Sequence, residues 1–127
     1  MGKILVIDDS EHYRDYLMTL LQRAGYEVDG LPDGSGVAAR IRAGDIVLVI
    51  TDLHMPGVDG IETIIHVKRE APELPVIGVI GMGLSPDERS ARITELLGAQ
   101  AVLMKPIDEI ALLDIVRRAV SAETPRR

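Results

Sequence analysis

Two neighbouring carboxylates, Asp8 and Asp9, close one apolar run of the chain. A third, Asp52, stands two residues beyond another run, and an ammonium, Lys105, directly follows a further one. Adjacent negative charges repel, and the repulsion grows if other acids lie nearby. Three carboxylates and one lysine carry a net −2. One divalent cation balances that charge. Mg²⁺ prefers hard oxygen ligands and keeps several waters, so it suits a site with few protein oxygens. Each residue alone also has a structural reading. An Asp pair after a strand serves as a turn or N-cap, "TD" serves as a helix entry, and Lys105 before Pro106 serves as a surface lysine. The chemical reading rests on all four lying at the ends of apolar runs.

Those runs define the elements that must position the charges. "KILVI" (Lys3–Ile7), "IVLVI" (Ile46–Ile50) and "PVIGVI" (Pro75–Ile80) are almost continuously apolar, as strands covered on both faces are. "YEVDG" (Tyr26–Gly30) is more polar and reads as an edge strand, and "AVLM" (Ala101–Met104) is the fifth. Helical spacing lies between them. Tyr13, Tyr16, Leu17, Leu20, Leu21 and Ala24 form one stripe, ended by Gly25. Val37, Ala38 and Ile41 mark a short second helix. Asp59 with Glu62 predicts the start of a third, and Ser85, Pro86 and Glu88 the start of a fourth that stops at Gly98. Ile110, Leu113, Val116 and Val120 predict the inner stripe of the last.

Strand and helix alternating five times predict an α/β fold, a doubly wound five-stranded parallel sheet with helices on both faces. Its functional crevice lies at the carboxyl ends of the strands. In the order 2-1-3-4-5, strands one and three are neighbours and strand five is two places away. Asp8, Asp9, Asp52 and Lys105 then share one edge.

The 127 residues suit a single domain, taken as 1–121, with 122–127 as a tail or the start of a linker. The core must be aliphatic, because Phe and Trp are absent and the only aromatics are three tyrosines. Without cysteine there are no disulfides or thiolate metal sites, which is compatible with a reducing cytoplasm. The net charge of −6 argues against direct nucleic-acid binding. No apolar run approaches the roughly 20 residues of a membrane span. Ile4–Ile7 is too short for a signal peptide, and Val6 stands where a myristoylation motif needs Ser or Thr.

With "DD" after strand one, "TDLHMPGVDG" after strand three and "GAQAVLMKP" across strand five, the chain resembles a response-regulator receiver domain of two-component signalling. The likeness runs from Lys3 to about Ser121 and implies a CheY-like, flavodoxin-like fold. It implies that Asp52 is the phosphoacceptor and not part of a conventional enzyme. Asp9 would ligate Mg²⁺ directly, Asp8 would help through water, and the backbone carbonyl of His54 would complete the protein ligands. Lys105 would pair with a phosphoryl oxygen, the Lys105–Pro106 bond would be cis, and Pro56 and Gly60 would shape the loop after the acceptor. The donor would be a histidine kinase or phosphotransfer protein in the cytoplasm. An effector protein or a second copy would bind the surface of the fourth helix, fifth strand and fifth helix.

The sequence departs from the family at two places. Ile80 stands where Thr or Ser is usual, and Val102 where Tyr or Phe is usual. A hydroxyl bonded to a charged oxygen is worth about 1.5–3 kcal/mol, so the phosphorylated form is less strongly favoured unless another donor compensates. The Gly81 N–H and Ser85 are the candidates, though Ser85 also reads as a helix cap. His54 reads either as a solvated loop residue or as a modulator of the hydrolytic water. His12 and His66 read as surface residues. Two alternatives remain open: a receiver-shaped binding module that ignores phosphorylation, favoured by Ile80 and Val102, and a Mg²⁺-dependent phosphohydrolase with His54 as general acid.

Overall fold

A computed structural model describes residues 2–53, 60–80 and 98–123. Strands β1 (Lys3–Ile7), β2 (Glu27–Leu31), β3 (Ile46–Asp52), β4 (Val76–Ile80) and β5 (Ala101–Met104) form one parallel sheet in the order β2-β1-β3-β4-β5. Helices α1 (Glu11–Arg23), α2 (Val37–Arg42) and α3 (Gly60–Glu70) and a C-terminal helix (Glu109–Glu123) surround it. The predicted starts at Asp59 and Ser85 lie outside the described residues. Gly98 has φ 101°, the left-handed conformation that suits a helix stop.

Both faces of the sheet are covered because successive strand residues point to opposite sides and nearly all are apolar. In β1, Ile4 and Val6 join Leu17 and Leu21 of α1 and Leu112 and Val116 of the C-terminal helix. Leu5 and Ile7 join Val37 and Ile41 of α2 and Ile64 and Val67 of α3 on the opposite face. The β2 strand, at the edge, is only partly buried. The stop predicted at Gly25 is a Schellman turn. Its φ is 100°, its N–H reaches the Gln22 carbonyl at 3.0 Å, and the Tyr26 N–H reaches the Leu21 carbonyl at 3.1 Å.

Several expectations shift: β4 begins at Val76 and not Pro75, and Tyr16 and Ala24 of the predicted α1 stripe are exposed. Strand β2 runs one residue later than predicted, and β3 continues to Asp52, so the acid ends the strand instead of following it. The inner stripe of the C-terminal helix is Leu112, Val116 and Ala119, with Leu113 and Val120 flanking, whereas Ile110 points outward at 82% exposure. The physical reason is phase. Ile110 shares its side of the helix with Asp114, Arg117 and Ser121, so that polar side faces outward and the side carrying Leu112, Val116 and Ala119 turns inward, while Asp108, whose Oδ1 accepts the Ala111 N–H at 3.1 Å, caps the helix start.

Candidate functional site

The sheet brings the four predicted charges together. Ligand oxygens of Asp8, Asp9 and Asp52 all lie within 4.8 Å of one another. Asp8 and Asp52 are buried, and Asp9 is exposed at the rim. Lys105 Nζ bridges the two buried acids, 3.0 Å from Asp8 Oδ2 and 3.4 Å from Asp52 Oδ2. Its side chain is 9% exposed, against 2% for Asp8 and 5% for Asp52. Burial alone pulls the Lys105 ammonium down, but the hydrogen bonds and charges of Asp8 and Asp52 outweigh it, and its pKa is raised above 10.5.

The donor set fits Mg²⁺. The ion takes hard oxygens at about 2.0–2.1 Å, so oxygens on opposite sides of it are separated by about 4.2 Å. Three carboxylate oxygens with a mutual reach of 4.8 Å lie near that range, and one ammonium leaves two of the three charges unbalanced.

Backbone contacts fix the two buried acids. Asp8 is held from three directions: its N–H donates to the Leu31 carbonyl at 3.2 Å, its carbonyl accepts from Arg14 Nη1 at 2.7 Å, and its Oδ1 accepts the Ser10 N–H at 2.9 Å. Ser10 in turn caps α1, its Oγ accepting the Tyr13 N–H at 3.2 Å. Pairing of β3 with β4 runs one residue past Asp52, through the Leu53 N–H to the Val79 carbonyl at 2.8 Å. Gly60 opens α3 directly against this corner. A Cβ there would come within 2.3 Å of both the Asp52 carbonyl oxygen and Leu53 Cα. The Lys105 N–H donates to the Ile80 carbonyl at 2.9 Å, which seats the lysine beside β4, and the Lys105–Pro106 bond is cis.

Sequence reasoning placed Tyr13 in the core stripe of α1. Its ring also lies beneath the Lys105 ammonium, 4.2 Å from Nζ to the ring centroid. The contact joins residues far apart in the chain, so no local pattern signals it. The Ser10 cap and the Arg14 contact were also missed. A Ser before an acidic first turn was the available signal for the cap. His54, Pro56, Gly81 and Ser85 lie outside the described residues. His12 is exposed and His66 is half-buried on α3. Ile80 is buried at the end of β4, and Val102 is half-buried in β5.

A family of known proteins shares this pattern, and its description, response regulator receiver domain, matches residues 4–117. The chain belongs to this family. A receiver domain from Clostridium thermocellum superposes with a TM-score of 0.87 at 29% identity, covering 97% of each chain. The response regulator receiver protein CpdR of Brucella abortus is 29% identical over 87% of this receiver and 94% of its own length. The C4-dicarboxylate transport transcriptional regulatory protein DctD of Pseudomonas aeruginosa is 36% identical over 93% of this receiver. The receiver spans only 25% of DctD, and a quarter or less of several other curated relatives. Among the described residues, no helix is long and apolar enough to cross a membrane.

Proposed function

We propose that this receiver accepts a phosphoryl group on Asp52 from a phosphohistidine of a histidine kinase or phosphotransfer protein, in the cytoplasm. The observation that carries the reading is the half-buried Lys105 bridging Asp8 and Asp52, with the Asp9 carboxylate beside them. A Mg²⁺ held by Asp8, Asp9 and Asp52 would supply positive charge to the phosphoryl oxygens. An Asp52 carboxylate oxygen attacks phosphorus in line. The P–N bond to the donor imidazole breaks, and its electron pair stays on that nitrogen, which takes up a proton. Lys105 leaves a carboxylate and pairs with a phosphoryl oxygen as charge moves there. Water later cleaves the acyl phosphate and restores Asp52. That hydrolysis releases inorganic phosphate, and the domain hosts both steps on its own side chain. Output would pass to an effector protein or a second copy, without the hydroxyl and ring that Ile80 and Val102 replace.

Incubation with acetyl phosphate and Mg²⁺, read by intact mass, tests this. The expected result is a labile gain of about 80 Da, one PO₃ unit, that is absent in Asp52→Asn and in chelator. A second reading, a binding module indifferent to phosphorylation, is favoured by the apolar Ile80 buried at the end of β4. It predicts no adduct under the same conditions.

A further inference from the structure

Lys105 is held by two carboxylates and by one group that carries no charge. The Tyr13 ring centroid is 4.2 Å from Nζ, while Asp8 and Asp52 are at 3.0 and 3.4 Å. The Tyr13 hydroxyl accepts the Ile107 N–H at 3.3 Å, which ties the ring to the segment just after Lys105. On its other flank the ring meets Tyr16, centroid to centroid 5.4 Å, and the Tyr16 hydroxyl donates to Glu109 at the start of the C-terminal helix. Tyr13 therefore sits between the first turn of α1 and the loop after β5, and its position is fixed from both.

An aromatic face attracts a cation through its quadrupole and adds no net negative charge. That distinction matters in a site with a net charge of −2. A further carboxylate would hold the ammonium more strongly, but it would also repel an incoming phosphoryl group. The attraction also depends less on direction than a hydrogen bond, so the ammonium can change oxygen partners without leaving the ring. Resting on the phosphoacceptor reading, we infer that Tyr13 is a positioning residue for Lys105. It keeps the ammonium in the site while Lys105 exchanges a carboxylate oxygen for an oxygen of the transferred group. With Val102 in β5 and no Phe or Trp in the chain, this ring comes from α1.

The test compares wild type with Tyr13→Phe, which keeps the ring and loses the hydroxyl, and Tyr13→Leu, which loses both. Tyr13→Met serves as a second ring-free variant should Leu unfold the protein. The first readout needs no phosphoryl chemistry. In proton–carbon spectra, the Lys105 Cε protons should be ring-shifted upfield in wild type and Tyr13→Phe and return to ordinary positions without the ring. The second is the rate constant for acetyl phosphate at saturating Mg²⁺. Tyr13→Phe should stay within roughly twofold of wild type, and the ring-free variants should fall roughly three- to tenfold, with Mg²⁺ affinity and urea midpoint setting any loss of fold apart. A ring-free variant that reacts as fast as wild type overturns the inference and leaves the phosphoacceptor reading standing. So does Tyr13→Phe falling as far as Leu while its Lys105 ring shift persists, since the hydroxyl would then be the active part. A wild type that forms no Asp52-dependent adduct defeats the phosphoacceptor reading, and this role for Tyr13 falls with it.

Discussion

The three acids occupy different environments, and that decides what each substitution does. Asp8 is fixed by backbone contacts and by Lys105, so replacing it disturbs structure and chemistry together. Asp9 is exposed and contributes charge with little packing. Asp9→Asn should therefore weaken Mg²⁺ binding by about tenfold or more in calorimetry. Its unfolding free energy in urea should change by less than about 0.5 kcal/mol, as for an exposed residue with little packing. Equal affinity in the variant would remove Asp9 from the ligand set. Gly60 behaves in the opposite way, because its constraint is backbone against backbone. The Cβ of Gly60→Ala would press on the Asp52 carbonyl oxygen at 2.3 Å, so α3 or the acid must move. The expected cost is about 1–3 kcal/mol in urea unfolding, together with slower adduct formation on Asp52. An alanine variant with wild-type stability and rate would show that the corner is looser than its geometry implies.

The elements were legible to different degrees. Strand β1 falls where its apolar run stands, because a strand covered on both faces needs little beyond continuous aliphatic sequence, and the partly buried edge strand β5 also coincides with its run. The end of β3 was not legible, since Thr51 and Asp52 are polar residues that remain in the ladder through pairing with β4. The phase of the C-terminal helix was legible but misread. Ile110 repeats with Asp114, Arg117 and Ser121, a polar side, whereas Leu112, Val116 and Ala119 share the apolar side that is buried. Paired substitutions measure that difference. Leu112→Ala should cost about 2–5 kcal/mol in urea unfolding. Ile110→Ala, at 82% exposure, should stay within about 0.5 kcal/mol. The reverse order would place the predicted stripe inside after all.

Across the whole molecule, two groups hold their protons tightly, Tyr16 where α1 meets the C-terminal helix and Lys105 in the acidic site. The hydrogen bond to Glu109 pushes the Tyr16 phenol from 10.0 up to about 12, and the paired Lys105 is raised above 10.5. In both cases the folded state favours the protonated form. Their stabilisation is complete below the unfolded pKa values and is lost as pH rises through the folded ones. Urea midpoints should thus hold level up to about pH 10 and fall between there and about 12, with a shallower fall in Tyr16→Phe. A wild-type decline that Tyr16→Phe leaves unchanged would assign it to other groups. The sequence revealed the convergence of Asp8, Asp9, Asp52 and Lys105 because strand order alone places them on one edge. It concealed the Tyr13 and Tyr16 contacts because those depend on how a helix packs across that edge. The most direct measurement of the central claim is borohydride reduction of the protein after exposure to acetyl phosphate and Mg²⁺, followed by peptide mapping. An acyl phosphate on Asp52 becomes homoserine at position 52, and that is the predicted product. Homoserine at Asp8 or Asp9, or at no position, would contradict it.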